Sequence, residues 1–141
     1  MNPAAALLAP VIALVLWTHV MWLWMYLTRI PAIRAQQMRL DPSAPRGEQM
    51  ATLPASVRWK ADNYNHLFEA PTLFYAVALV LALLGDRSLL SLSLAWCYVG
   101  LRVVHSIFQA TKNIIEVRFS LFFLSSLVLI ALSIRAALMV F

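Results

Sequence analysis

Four stretches of nearly unbroken apolar residues organise the chain, each long enough to cross a bilayer. A hydrocarbon core about 30 Å thick needs about 20 apolar residues in a helix. Residues 4–27 carry no charged side chain, residues 65–84 end at the polar turn Gly85-Asp86-Arg87, and residues 89–109 and 119–137 follow across short connections. The pattern predicts an all-α integral membrane protein, a four-helix transmembrane bundle with residues 1–141 forming one domain. Short connections between the later spans predict antiparallel neighbours. The first stretch is expected to be a retained span rather than a secretory leader, because Met1-Asn2-Pro3 offers no basic n-region.

One connection is long. Residues 29–62 hold Arg29, Arg34, Arg39, Arg46, Arg58 and Lys60, with turn chemistry at Asp41-Pro42-Ser43-Ala44-Pro45-Arg46-Gly47. Its flanks are expected to continue the helices beyond the bilayer. The third connection carries Lys112 and leads to Arg118, whereas the second offers only Arg87. Basic residues accumulate in cytoplasmic loops, so the first and third connections are expected inside and both termini outside, as in a bacterial inner membrane.

Composition sharpens this picture. The chain is 62% hydrophobic and 12% charged, against about 25% charged residues in an average soluble domain. That excludes a water-soluble monomer, and it equally excludes disorder, which needs low hydrophobicity and high charge. The net charge of +5 reads as loop bias rather than as a nucleic-acid surface. Cys97, the only cysteine, lies in an apolar run and reads as a packing residue.

Ionisable groups near the ends of the spans carry the candidate chemistry, because such groups are costly in hydrocarbon and face protein or a wet cavity. Tyr98, Arg102, His105 and Gln109 follow at steps of four, three and four, which places them on one helix face over about 16 Å. Asn65, His66 and Glu69 cluster at the start of the second span, with Pro71 next to them, and Arg118 opens the fourth. These span ends share one membrane face, so one polar pocket is predicted to collect them. The plainer readings are a Glu69–Arg102 ion pair fixing helix register and a hydrogen-bonded packing role for His105. His19, among Trp17, Trp22, Trp24 and Tyr26, reads as structural; Arg135 as snorkelling to the far interface; Trp59 as an interfacial anchor. No HExxH, CxxC, GxSxG or Gly-rich phosphate loop occurs, so metal hydrolysis, serine hydrolysis and nucleotide binding have no support and no metal site is expected.

The stretch Ala61-Asp62-Asn63-Tyr64-Asn65-His66-Leu67-Phe68-Glu69-Ala70-Pro71-Thr72-Leu73-Phe74-Tyr75, together with Leu101-Arg102-Val103-Val104-His105-Ser106, resembles the membrane-associated proteins in eicosanoid and glutathione metabolism (MAPEG), especially small bacterial members. The resemblance runs over residues 58–132; the first span matches in hydropathy and position. It implies a four-helix protomer assembled as a homotrimer in membrane lipid, with reduced glutathione bound as co-substrate between protomers near the cytoplasmic face. Family activities include glutathione conjugation to lipophilic electrophiles, reduction of lipid hydroperoxides, and prostaglandin or leukotriene synthesis, and one branch binds lipid without catalysis.

Carried onto this chain, the resemblance implies that Arg102 and Arg118 take the carboxylates, with Arg29 or Arg34 of a neighbouring subunit as a further source of charge. Glu69 would take the ammonium or orient an arginine, and Asn65, His66, His105 and Gln109 would complete the polar wall. Arg118 would be the catalytic residue, lowering the thiol pKa by its charge. A lipophilic small-molecule substrate would arrive laterally from the bilayer. The chain departs from the family pattern at His66, where most members have asparagine, at Gln109, where several synthases have tyrosine, and at Phe119, where some catalytic members have serine. The expected function is thus a membrane-bound glutathione-dependent transferase or peroxidase. The alternatives are a non-catalytic lipid-binding scaffold of the same fold and a small multidrug transporter; against the latter, Glu69 lies near one end of its span rather than at the midplane.

Overall fold

The computed structural model describes residues 5–141. Six helices follow in order: α1 (Ala5–Ala35), α2 (Glu48–Ala51), α3 (Ala55–His66), α4 (Ala70–Leu83), α5 (Leu89–Thr111) and α6 (Ile115–Val140). Among the described residues four segments are long and apolar enough to cross a membrane: Ala6–Ala35, Ala55–Leu83 (α3 and α4 together), Leu89–Thr111 and Ile115–Val140. The chain is an all-α, multi-pass integral membrane protein. Its outer surface is aliphatic, with Leu83 86% and Leu138 77% exposed, while Leu14, Met21, Leu81 and Leu132 are fully buried within. Those outer side chains meet lipid at no solvation cost.

At 31 residues, α1 is about 46 Å long and overshoots the hydrocarbon. The connection that follows is folded rather than slack. Asp41 accepts hydrogen bonds from the Ser43 amide and hydroxyl, an Asx turn. Gln49 then clamps the loop, donating to the Arg39 carbonyl at 2.8 Å and accepting from the Asp41 amide at 3.1 Å. Gly47, before α2, has φ 86°, a left-handed conformation that glycine adopts without penalty.

Helix α5 packs on α1, α3 and α6, while α4 packs on α1 and α6. The short 84–88 link therefore joins helices that lie diagonally, not the neighbours its length predicts. They meet through side chains at the centre, where Phe74 stacks on Tyr98 with ring centroids 4.6 Å apart. Gly85, at φ 73°, reverses the chain, and Asp86 organises the far end. This buried carboxylate accepts from the Ser88 amide and the Ser91 hydroxyl, and Arg135 Nε lies 3.5 Å from its Oδ2 and 3.2 Å from Ser91 Oγ. Arg135 thus does not snorkel to the interface; a carboxylate delivered by the link gives its charge a partner inside the protein. Lys60, expected as one of the basic residues of the first connection, donates to the Ala110 carbonyl at 3.1 Å, at the carbonyl-rich end of α5 where a cation is favoured.

Candidate functional site

A break in the second crossing builds the site. Helix α3 stops at His66 and α4 starts at Ala70. Pro71, at the start of α4, lacks the amide that would bond the Leu67 carbonyl in a continuous helix. In an unbroken helix the His66 carbonyl would accept from the Ala70 amide; here it accepts from the Glu69 amide and from Arg102 Nη2 at 3.2 Å. The break thus converts a main-chain acceptor into an anchor for a fully buried guanidinium. Arg102 also lies over Phe122, Cζ to ring centroid 5.8 Å, within cation–π range. Its Nε and Nη1 have no partner.

Around this anchor the predicted residues divide. His66 bonds Glu69 through Nδ1, its ring lies 5.2 Å from that of His105, and both rings approach Phe122. Arg118 donates through Nη1 to the Asn113 carboxamide, and its Nε is shielded without a partner. A cavity of about 390 Å³ opens among His66, His105 and Arg118 on one side and Ile115, Phe119 and Phe122 on the other. Glu69 reaches this group through His66. Arg102 sits behind its wall, and Gln109, buried with Oε1 unpartnered, does not line it. Asn65 turns elsewhere, into a cavity it shares with Arg29, Arg58 and Asp62.

Three site residues escaped sequence reasoning. Phe122 lies within the apolar run of the fourth span, where nothing in the sequence sets it apart. Asn113 takes φ 52° just after α5, a conformation asparagine tolerates at helix ends, and so its side chain meets Arg118; its place between two apolar runs was the available signal. Ser106 accepts from Asn63 Nδ2 at 2.7 Å and from Trp17 Nε1 at 3.0 Å. That bond pair ties α3 and α1 to α5 next to His105. No periodicity in a single span announces a junction of three.

His19 bonds the Val15 carbonyl of its own helix and lines a groove of about 390 Å³ with Trp22, Tyr64, Phe68 and Tyr75. This groove lies between α1 and the helix break, apart from the Arg118 cavity. Cys97 is exposed on the outside of the helix bundle, so it does not fill the core as its apolar surroundings suggest.

The arrangement suits an anionic ligand with an apolar companion. Arg118 keeps an unpartnered Nε at the cavity, with the charge of buried Arg102 behind the wall, and guanidinium groups recognise carboxylates by paired hydrogen bonds. The opposite wall is hydrocarbon, with Ile115 73% and Phe119 68% exposed. Comparison with curated proteins and with solved structures gives no match. The model of the MAPEG family matches residues 7–138, nearly the whole chain and all four membrane crossings, and the protein belongs to that family.

Proposed function

We propose that this protein is a glutathione-dependent transferase or peroxidase of the membrane, acting on lipophilic electrophiles or lipid hydroperoxides. The observation that carries the reading is the two-faced cavity, with Arg118, His66 and His105 opposite Ile115, Phe119 and Phe122. Glutathione, when bound, supplies a thiol whose ionised sulfur is the nucleophile. The unpartnered Nε of Arg118 fits a carboxylate, Arg102 adds positive charge from behind the wall, and Glu69, joined to His66, fits its ammonium. Arg118, half-buried at the cavity edge, holds positive charge where a thiolate would form, which favours the ionised sulfur. Phe119 and Ile115 exclude water from that side and admit a lipophile laterally, so charge is stabilised in a partly dry site.

The cavity is open on one flank, which suits closure by a neighbouring copy in a homotrimer. Orientation follows the basic loops, with the Arg118 end cytoplasmic, both termini outside and the bacterial inner membrane as host.

The test is a thermal-shift titration of the detergent-purified protein with reduced glutathione, comparing wild type with Arg118→Ala, alongside conjugation of an activated aryl halide. A ligand confined to the folded state adds about 2.7 kcal/mol at a hundredfold excess over Kd. A shift present in wild type and lost in Arg118→Ala supports the reading. No shift and no conjugate in a well-folded protein would replace it with the lipid-binding scaffold.

A further inference from the structure

A separate cavity of about 280 Å³ lies where α1 ends and α3 begins, roofed by Met50 and Ala51 of the folded loop. Arg29 comes from α1, while Arg58, Asp62 and Asn65 come from α3. The three α3 residues stand at successive steps of four and three, one helix face. The Gln49 clamp holds the roof in place, so the cavity is built rather than a gap under a slack loop.

Its charges are unused. Among the described residues the ion pairs are His66–Glu69 and Asp86–Arg135; Arg29, Arg58 and Asp62 have none, and Arg29 Nε is shielded from solvent with no partner. One cavity therefore presents two guanidinium groups and a carboxylate that do not neutralise one another. A phosphate complements the first pair, because planar guanidinium forks match phosphate oxygens bidentately. An ammonium complements the carboxylate. Arg29 lies toward the end of the first membrane-crossing helix and Arg58 at the start of the second, the depth at which a bilayer carries its head groups, and Met50 and Ala51 add apolar groups to the lining. We propose that this cavity binds the head group of an aminophospholipid, with the phosphate on Arg29 and Arg58 and the ammonium on Asp62 and the Asn65 carboxamide oxygen.

The cavity that carries the glutathione reading is lined by none of these four residues; the family resemblance assigns Asn65 and a neighbour's Arg29 to glutathione, so competition with reduced glutathione is one arm of the test. The test is native mass spectrometry of the full chain in non-ionic detergent. Dihexanoyl-phosphatidylethanolamine is compared with dihexanoyl-phosphatidylglycerol and inorganic phosphate, for wild type, Arg58→Gln and Asp62→Asn. Arg58 and Asp62 are both exposed, so neither substitution disturbs the core. The expected result is one phosphatidylethanolamine per chain, held more tightly than phosphatidylglycerol. Arg58→Gln weakens both lipids about tenfold, the loss of one charge-assisted contact. Asp62→Asn removes the preference for the amine while phosphatidylglycerol still binds. Unchanged binding by Arg58→Gln overturns the site. Inorganic phosphate that displaces the lipid at equal concentration overturns the lipid assignment in favour of a soluble anion. Displacement by reduced glutathione overturns the separation from the thiol site.

Discussion

Replacing Ser106 by alanine removes the acceptor that joins three helices beside His105. Asn63 Nδ2 and Trp17 Nε1 both donate to its hydroxyl, and Asn63 is 1% exposed. Hydrogen bonds between membrane helices average only about 0.6 kcal/mol in double-mutant cycles, so two lost bonds set a floor near 1 kcal/mol. Leaving a buried donor unsatisfied costs about 1–3 kcal/mol, and that penalty applies in full to Asn63 and in part to the half-buried Trp17. The expected destabilisation is about 2–3 kcal/mol, measured by reversible unfolding of detergent-solubilised protein in graded denaturing detergent. Asn63→Leu in the Ser106→Ala background should recover about 1 kcal/mol, because no buried amide is then left without a partner. A Ser106→Ala cost below 0.5 kcal/mol, or no recovery in the double variant, would show that packing alone sets the seat of α5. The same unfolding series, followed by glutathione-induced stabilisation, separates loss of fold from loss of site geometry.

Further outcomes follow from the same reasoning. Asp86→Ala strips the acceptor from Ser88, Ser91 and Arg135 and should cost about 2–3 kcal/mol. Arg135→Leu leaves the carboxylate its other donors and should cost about 1 kcal/mol; the reverse order by chemical unfolding would refute this division. Burial alone would raise the Asp86 pKa, but donation from Ser91 and Ser88, with Arg135 beside it, holds it below the ordinary carboxylate range. Its contribution is therefore full above about pH 4, the unfolded value, and is lost as pH falls through the lowered folded value, a slope that Asp86→Asn should abolish in unfolding measured against pH. Asn113→Gly keeps the left-handed turn but frees Arg118, so the helix content by circular dichroism should hold while affinity for reduced glutathione falls about fivefold, on the scale of one hydrogen bond. Gly47→Ala, forced into φ 86°, should cost about 1 kcal/mol and loosen the α2 roof, read as faster amide exchange over the loop.

Hydropathy alone located all four crossings, because a bilayer demands long apolar helices and reads length and charge before any packing occurs. The buried face of α5 was legible for a related reason. A helical repeat puts Tyr98, Arg102, His105 and Gln109 on one side, and the motif around His66 and Arg102 carried the family. Periodicity says which residues share a face, however, not what that face meets. Only the tertiary structure set Arg102 behind the cavity wall, bonded to a carbonyl freed by the break before Pro71, and sent Asn65 to a different cavity from His66, one position away. Only it paired Arg135 with Asp86, joined Ser106 to Trp17 and Asn63, and placed α4 diagonally from α5 despite a short link. Each of these depends on the relative rotation of separate helices. That rotation is decided by the packing of all of them at once, and no single span's pattern encodes it.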